Sequence, residues 1–345
     1  MKILLLAGGV GSRLWPLSTA KTPKQFAKIQ TDKEGKSLFL HTYCRAMKLA
    51  NPRDIYVVTS AIHRDVVKEQ IKSLGIEPQD KNVIGEFEGK NTLPAILFGT
   101  KVACGDEDDI VAVFPSDHKI RDEEKFVSIL QETEKIACDN IVTFGMVPSY
   151  PSTEFGYISP AEELGNGYRV QQFREKPDKA TAEVFIQKGY LWNSGVFMFS
   201  SKLIMSEAKK HVPAMYNAIA EYNDIKTCYE HITDKLSIDY GIMEKTELAA
   251  VVPMSVGWSD VGTFDAFYEA FEVDKNNNIC PNCVEQYDSK NNIVLTSSQK
   301  KIVLIDVEDL ILVEENDVIM LCKKGHSHLI KRCVEDLKEH GSDLI

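Results

Sequence analysis

Residues 1–31 contain Lys2, Arg13, Lys21, Lys24 and Lys28 and no acidic side chain, in a chain whose net charge is −11. A local excess of positive charge in an acidic chain reads as an anion site rather than a solvated face. Glycines accompany it in Gly8-Gly9-Val10-Gly11-Ser12-Arg13. Without a Cβ, their backbone N–H groups can approach a phosphate or a base closely. The loop is no dinucleotide fingerprint. Gly9-Val10-Gly11-Ser12-Arg13-Leu14 lacks the third glycine, and Val57-Val58-Thr59 ends without a ribose-binding acid. A Walker A motif is absent too. Asp117 closes an apolar run, Val111-Ala112-Val113-Phe114, and Asp260 lies in the turn Gly257-Trp258-Ser259-Asp260-Val261-Gly262. Phosphate binding is the chemistry these residues suit. Cys280-Pro281-Asn282-Cys283 with Cys322, His326, His328 or Cys333 fits no usual zinc spacing, so the eight cysteines read as small hydrophobes.

These residues need elements to position them. Apolar, β-rich runs at Ile3–Ala7, Ile55–Thr59, Lys81–Ile84, Ile110–Phe114 and Ile141–Gly145 alternate with helical patterns near 38–49, 62–73, 92–104 and 123–137. That alternation predicts βαβ units on a parallel sheet with helices on both faces, and ligands beyond the carboxyl ends of the strands. After 146 come a Pro/Ser/Gly/Tyr-rich stretch, a helix near 179–188 and a strand at Gly195–Phe199. Asp274–Asn278 reads as a linker. Beyond it, Ile293–Leu295, Ile302–Ile305, Leu310–Val313 and Val318–Leu321 predict a small all-β module or solenoid, closed by a helix near 327–339. The domain boundaries expected are 1–273 and 279–345.

At 345 residues, 43% hydrophobic and 26% charged, the chain is an ordinary globular protein. Its acidity argues against nucleic-acid partners, and no apolar run approaches a membrane span. The five apolar residues Ile3–Ala7 are too few for a signal peptide, which predicts a cytoplasmic protein.

The motif Leu6-Ala7-Gly8-Gly9-Val10-Gly11-Ser12-Arg13-Leu14-Trp15-Pro16, followed by Thr22-Pro23-Lys24-Gln25-Phe26, resembles the signature of sugar-1-phosphate nucleotidyltransferases. Its Pro-Lys-Gln-Phe form is similar to the mannose-1-phosphate guanylyltransferase (GDP-mannose pyrophosphorylase) branch. The resemblance continues through Asn91–Ile96, Phe114–His118, Phe155–Ile158, Phe173–Pro177, Leu191–Phe197, Ser237–Tyr240 and Gly257–Gly262. It implies a Rossmann-like, mostly parallel sheet flanked by helices, with a small C-terminal left-handed β-helix module. It also implies attack by mannose 1-phosphate on the α-phosphorus of GTP, releasing pyrophosphate. A phosphate monoester is ionised near neutral pH, so no general base is required.

By the same resemblance, Arg13 and Lys24 grip the triphosphate, and Asp117 and Asp260 share one Mg²⁺. Leu6, Ala7, Gly8, Gly9, Gly11, Ser12, Asn91 and Thr92 form the nucleotide pocket. Gly156, Glu175, Lys176 and Asn193 hold the sugar phosphate, with strand alternation sending Glu175 and Lys176 to opposite sides. His118 shapes its loop. Departures from the family pattern are Phe87 for a proline, Lys90 for an arginine and Phe155 for a tyrosine, which bear on base and sugar selectivity. The alternatives are a guanylyltransferase for another manno-configured sugar 1-phosphate, such as a heptose, and a non-catalytic nucleotide-sugar sensor. The chain ends before the isomerase domain of longer bifunctional relatives, which predicts one activity. A homodimer through the C-terminal module is expected.

Overall fold

The computed structural model describes residues 1–9, 11–29, 34–298, 300–342 and 344. In chain order the strands are β1 (Lys2–Ala7), β2 (Ile55–Ser60), β3 (Val83–Glu86), β4 (Ile110–Pro115), β5 (Lys119–Ile120), β6 (Ile141–Met146), β7 (Tyr157–Leu164) and β8 (Gly167–Arg174). There follow β9 (Leu191–Ser200), β10 (Ala249–Met254), β11 (Trp258–Ser259), β12 (Val284–Tyr287), β13 (Ile293–Thr296), β14 (Ile302–Ile305), β15 (Leu310–Glu315) and β16 (Val318–Lys323). They belong to two compact units, each assembled from separated stretches. One comprises Met1–Gly8, Tyr43–Ser116 and Asp122–Val256, the other Gly9–Thr42, Asp117–Arg121 and Gly257–Ile345.

The first unit is built on a sheet of order β3-β2-β1-β4-β9-β6-β10-β8-β7. From β3 to β4 every neighbour is parallel, because each crossover carries a helix: Arg64–Lys72 before β3 and Thr92–Cys104 before β4. Val57 and Val111–Val113 are buried on both faces, as a sheet covered by helices requires. The order beyond β4 is not readable from the first 145 residues. β9 inserts antiparallel between β4 and β6, and its apolar half, Val196–Phe199, is buried enough to be central.

Side-chain caps start the helices that flank β4. The Asp122 carboxylate accepts from Lys125 N at 3.0 Å, and Asn91 Oδ1 from Thr92 N at 2.8 Å. β3 begins two residues later than the apolar run suggests, because Asp80–Asn82 form a 3-10 turn. Asn82 is tied down there, donating to Arg53 O at 3.0 Å and Ile55 O at 2.9 Å.

The second unit has its own core, in which Leu14, Trp15 and Leu17 pack with Phe264, Phe267, Ile293, Ile311, Ile330 and Val334. Its C-terminal strands stack in parallel. Val284 faces Ile302 and Ile293 faces Ile311, eighteen residues on in both pairings, which is the one-coil period of a solenoid. Asn292 stitches the coils, donating to Val307 O at 3.0 Å and accepting from Leu310 N at 3.0 Å. These parallel pairings are consistent with a β-helix module. The stack ends where β16 turns back antiparallel on β15. Among the described residues, no helix is long and apolar enough to cross a membrane.

Candidate active site

In the second unit, β5 and β11 pair antiparallel, Ser259 opposite Lys119 and Trp258 opposite Ile120. Continued by one residue, that register sets Asp260 across from His118, beside Asp117. The buried Lys24, on the 3-10 turn Lys24–Phe26, joins the two aspartates. Its Nζ lies 2.9 Å from Asp117 Oδ2 and donates to the backbone carbonyl of Asp260. Burial raises the half-buried Asp117 carboxyl, but the Lys24 ammonium, then His118, hold it below its ordinary range.

Asp260 Oδ1 accepts from Gly262 N at 3.0 Å. The residue between them, Val261, has φ 47°, a left-handed backbone that is strained for a β-branched side chain. His118 Nδ1 lies 3.1 Å from Trp258 Nε1, and its Nε2 lies 3.8 Å from Asp117 Oδ1. The glycine loop is fitted to the lysine. Gly11 has φ 70°, and a Cβ there would stand 2.5 Å from Lys24 Cβ. Gly9 O accepts from Gln25 Nε2 at 2.9 Å and Gly11 O from Ser18 Oγ at 2.5 Å. Half-buried Arg13 rides on the turn Ser12–Leu14. The side chain of Ser12 lies outside the described residues.

In the first unit, Leu6 and Ala7 close β1, their carbonyls accepting from Ser116 N at 3.0 Å and Thr59 Oγ1 at 2.9 Å. Glu86 ends β3 with only 8% of its surface exposed. Tyr229 donates to its Oε1 at 2.8 Å, and its Oε2 lies 3.3 Å from where a Cβ on Gly8 would stand. Burial pushes this carboxyl up to about 7, against the Tyr229 hydrogen bond. Asn91 has φ 73°, strain of the kind kept at functional positions. Thr92 Oγ1 accepts from Ile238 N at 3.1 Å.

Gly156, Glu175, Lys176 and Asn193 form a second cluster of this unit. Asn193 N donates to Gly156 O at 2.8 Å, and a Cβ on Gly156 would fall 2.7 Å from Glu175 Oε2. Asn193 sits in an irregular stretch of β9, where the pairing with β6 shifts between Thr143 and Gly145. Bulges of this kind re-aim side chains beside active sites. The expectation that Glu175 and Lys176 point to opposite sides is overturned. Lys176 Nζ lies 3.6 Å from Glu175 Oε1, because β8 ends at Arg174 and Lys176 has φ 40°, which breaks the strand alternation.

Two carboxylates escape the sequence reading. Glu86 was findable by the reasoning applied to Asp117, an acid at the carboxyl end of an apolar strand. Asp239, whose Oδ1 accepts from Asn193 Nδ2 at 2.9 Å, lies in the block Ser237–Tyr240 of the resemblance, which gave it no role.

A family model described as nucleotidyl transferase matches residues 2–277. The chain belongs to this family, and it is a nucleotidyltransferase. Among its relatives, mannose-1-phosphate guanylyltransferase 2 of Escherichia coli O157:H7 is 35% identical over 358 residues, covering 97% of this chain and 73% of that one. Mannose-1-phosphate guanylyltransferase of Salmonella montevideo is 33% identical, with 97% and 73% covered. A crystal structure from Thermus thermophilus, described as a mannose-1-phosphate geranyltransferase, superposes with a TM-score of 0.87 at 29% identity, covering 98% of this chain and 99% of that one.

Proposed function

We propose that the protein transfers GMP from GTP to α-D-mannose 1-phosphate, giving GDP-mannose and pyrophosphate. The observation that carries this reading is the buried Lys24 ammonium lying on both Asp117 and Asp260, beside a glycine loop. A site that already holds one positive charge between the Asp117 carboxylate and the Asp260 carbonyl oxygen suits a hard cation completed by phosphate oxygens and water. Asp117 and Asp260 would hold Mg²⁺, which when bound neutralises charge on the triphosphate.

The chain's own groups do the rest by positioning. Arg13 and Lys24 bind the triphosphate, and Gly9 and Gly11 admit it to the backbone. Lys176 binds the sugar phosphate, while Gly156, Glu175 and Asn193 take the sugar hydroxyls. A phosphate oxygen of mannose 1-phosphate forms the new bond to the α-phosphorus as the bond to the β-phosphate oxygen breaks in line. Glu86 supports GTP in particular, since a carboxylate can accept from both N–H groups on the edge of guanine. Names borne by the relatives support mannose, and eight cysteines outside any disulfide suit the reducing cytoplasm.

Pyrophosphate release from GTP is measured with mannose, glucose and manno-configured heptose 1-phosphates. The expected order places mannose 1-phosphate first, and equal rates with glucose 1-phosphate would overturn the substrate assignment. We also propose a homodimer. The module exposes Ile305, Ile319 and Leu321 at 68%, 69% and 62%, apolar surface that a second copy would cover.

A further inference from the structure

Asn193 can serve a sugar only if its amide is held with a hydrogen free to donate. Its Oδ1 accepts from Gly195 N at 3.2 Å and from Thr143 Oγ1 at 3.3 Å. That fixes the oxygen end and turns the NH₂ toward Asp239, whose Oδ1 takes one hydrogen at 2.9 Å. The second hydrogen remains for a ligand.

Asp239 is a costly residue for this task. Its carboxyl is pushed up to about 6 by burial and by the nearby Glu175 charge, with the Asn193 amide acting in the opposite direction. A buried carboxylate held by a neutral amide costs stability that an apolar side chain would not. It stands at the start of the π-turn Asp239–Met243. The residues before it are fastened to the helix Thr92–Cys104, with Leu93 N donating to Leu236 O at 3.1 Å and Ile238 N to Thr92 Oγ1 at 3.1 Å. Asp239 is therefore anchored from the helix start and reaches Asn193 from a rigid base.

We propose that Asp239 is a positioning residue of the sugar subsite, acting through Asn193: it locks the amide so that Asn193 donates to a hydroxyl of the sugar 1-phosphate. The inference rests on the sugar-phosphate reading given above. Its effect should fall on sugar binding, because of its two side-chain partners, Asn193 and Ser237, Asn193 is the one in the sugar cluster.

The test is a double-mutant cycle on steady-state constants, run with whichever sugar 1-phosphate the wild type uses best. Asp239→Ala should raise the KM for the sugar phosphate at least about tenfold, the loss of one aligned hydrogen bond, and leave the KM for GTP unchanged. Asp239→Asn retains an acceptor for Asn193 and should recover most of that loss. In an Asn193→Ala background, Asp239→Ala should add nothing. If Asp239→Ala does not fold, Asp239→Ser replaces it and is read in the same way. Additive effects, equal rises in both KM values, or an unchanged sugar KM would each overturn the proposal. Wild-type enzyme that turned over no sugar 1-phosphate would instead bring down the sugar-phosphate reading, and this inference with it.

Discussion

Replacing Glu86 by glutamine should stabilise the protein, and only above a definite pH. The buried carboxyl is raised from 4.5 to about 7. At 1.36 kcal/mol per unit, that is about 3 kcal/mol. Below pH 4.5 the group is protonated whether the chain is folded or unfolded, and it costs nothing. As the pH rises toward 7 the unfolded chain releases its proton while the native state resists, so native stability falls. Glutamine keeps the shape and still accepts from Tyr229. The stability of Glu86→Gln minus that of wild type should thus grow by about 3 kcal/mol between pH 4.5 and pH 8. Urea unfolding of both proteins across that range measures the difference, and Trp192, in the same unit, reports it by fluorescence. A difference that stays flat with pH would show that the carboxylate is comfortably solvated, and the burial reasoning would fail. The same variant should discriminate less between GTP and ATP, so that stability is gained at the expense of selectivity.

Asp117→Asn and Asp260→Asn should each lower turnover by at least ~10²-fold with the fold intact, and near-normal rates at saturating Mg²⁺ would remove that residue from the site. Gly11→Ala should abolish activity, since its methyl group meets Lys24 Cβ at 2.5 Å on a left-handed backbone; pyrophosphate release above about a tenth of wild type would refute the fit. Light scattering at micromolar concentration should report a dimer that Ile305→Glu disrupts, whereas a wild-type mass near 38.8 kDa would exclude it.

The helices and parallel strands of the first 145 residues were legible because apolar, β-rich runs alternate with helical patterns there. Asp117 was singled out because it follows an apolar run, and it lies in the turn between β4 and β5. What could not be read depends on contacts between distant residues or on backbone φ. The insertion of β9 beside β4 is a choice among edges that no local pattern fixes. Lys176 turns toward Glu175 through a positive φ that its residue type does not announce. Asp239 becomes interpretable only when a segment some 46 residues away in sequence delivers Asn193 to it.

The core shared by Leu14, Trp15 and Leu17 with Phe264, Phe267, Ile293, Ile311 and Val334 makes the glycine loop and the C-terminal coils a single block of inheritance. Trp15 Nε1 even donates to Leu344 O at 2.8 Å, closing that block from one end of the chain to the other. Cutting at Asp274 would not release an accessory module but strip half of the wall on which the loop of Arg13 and Lys24 is folded. A chimera that exchanged residues 257–345 between two relatives would set foreign side chains against Leu14 and Trp15 and misplace the phosphate loop. Exchanging residues 9–42 and 257–345 together would carry the wall along with the loop that leans on it, so the unit of recombination in this enzyme is discontinuous in sequence.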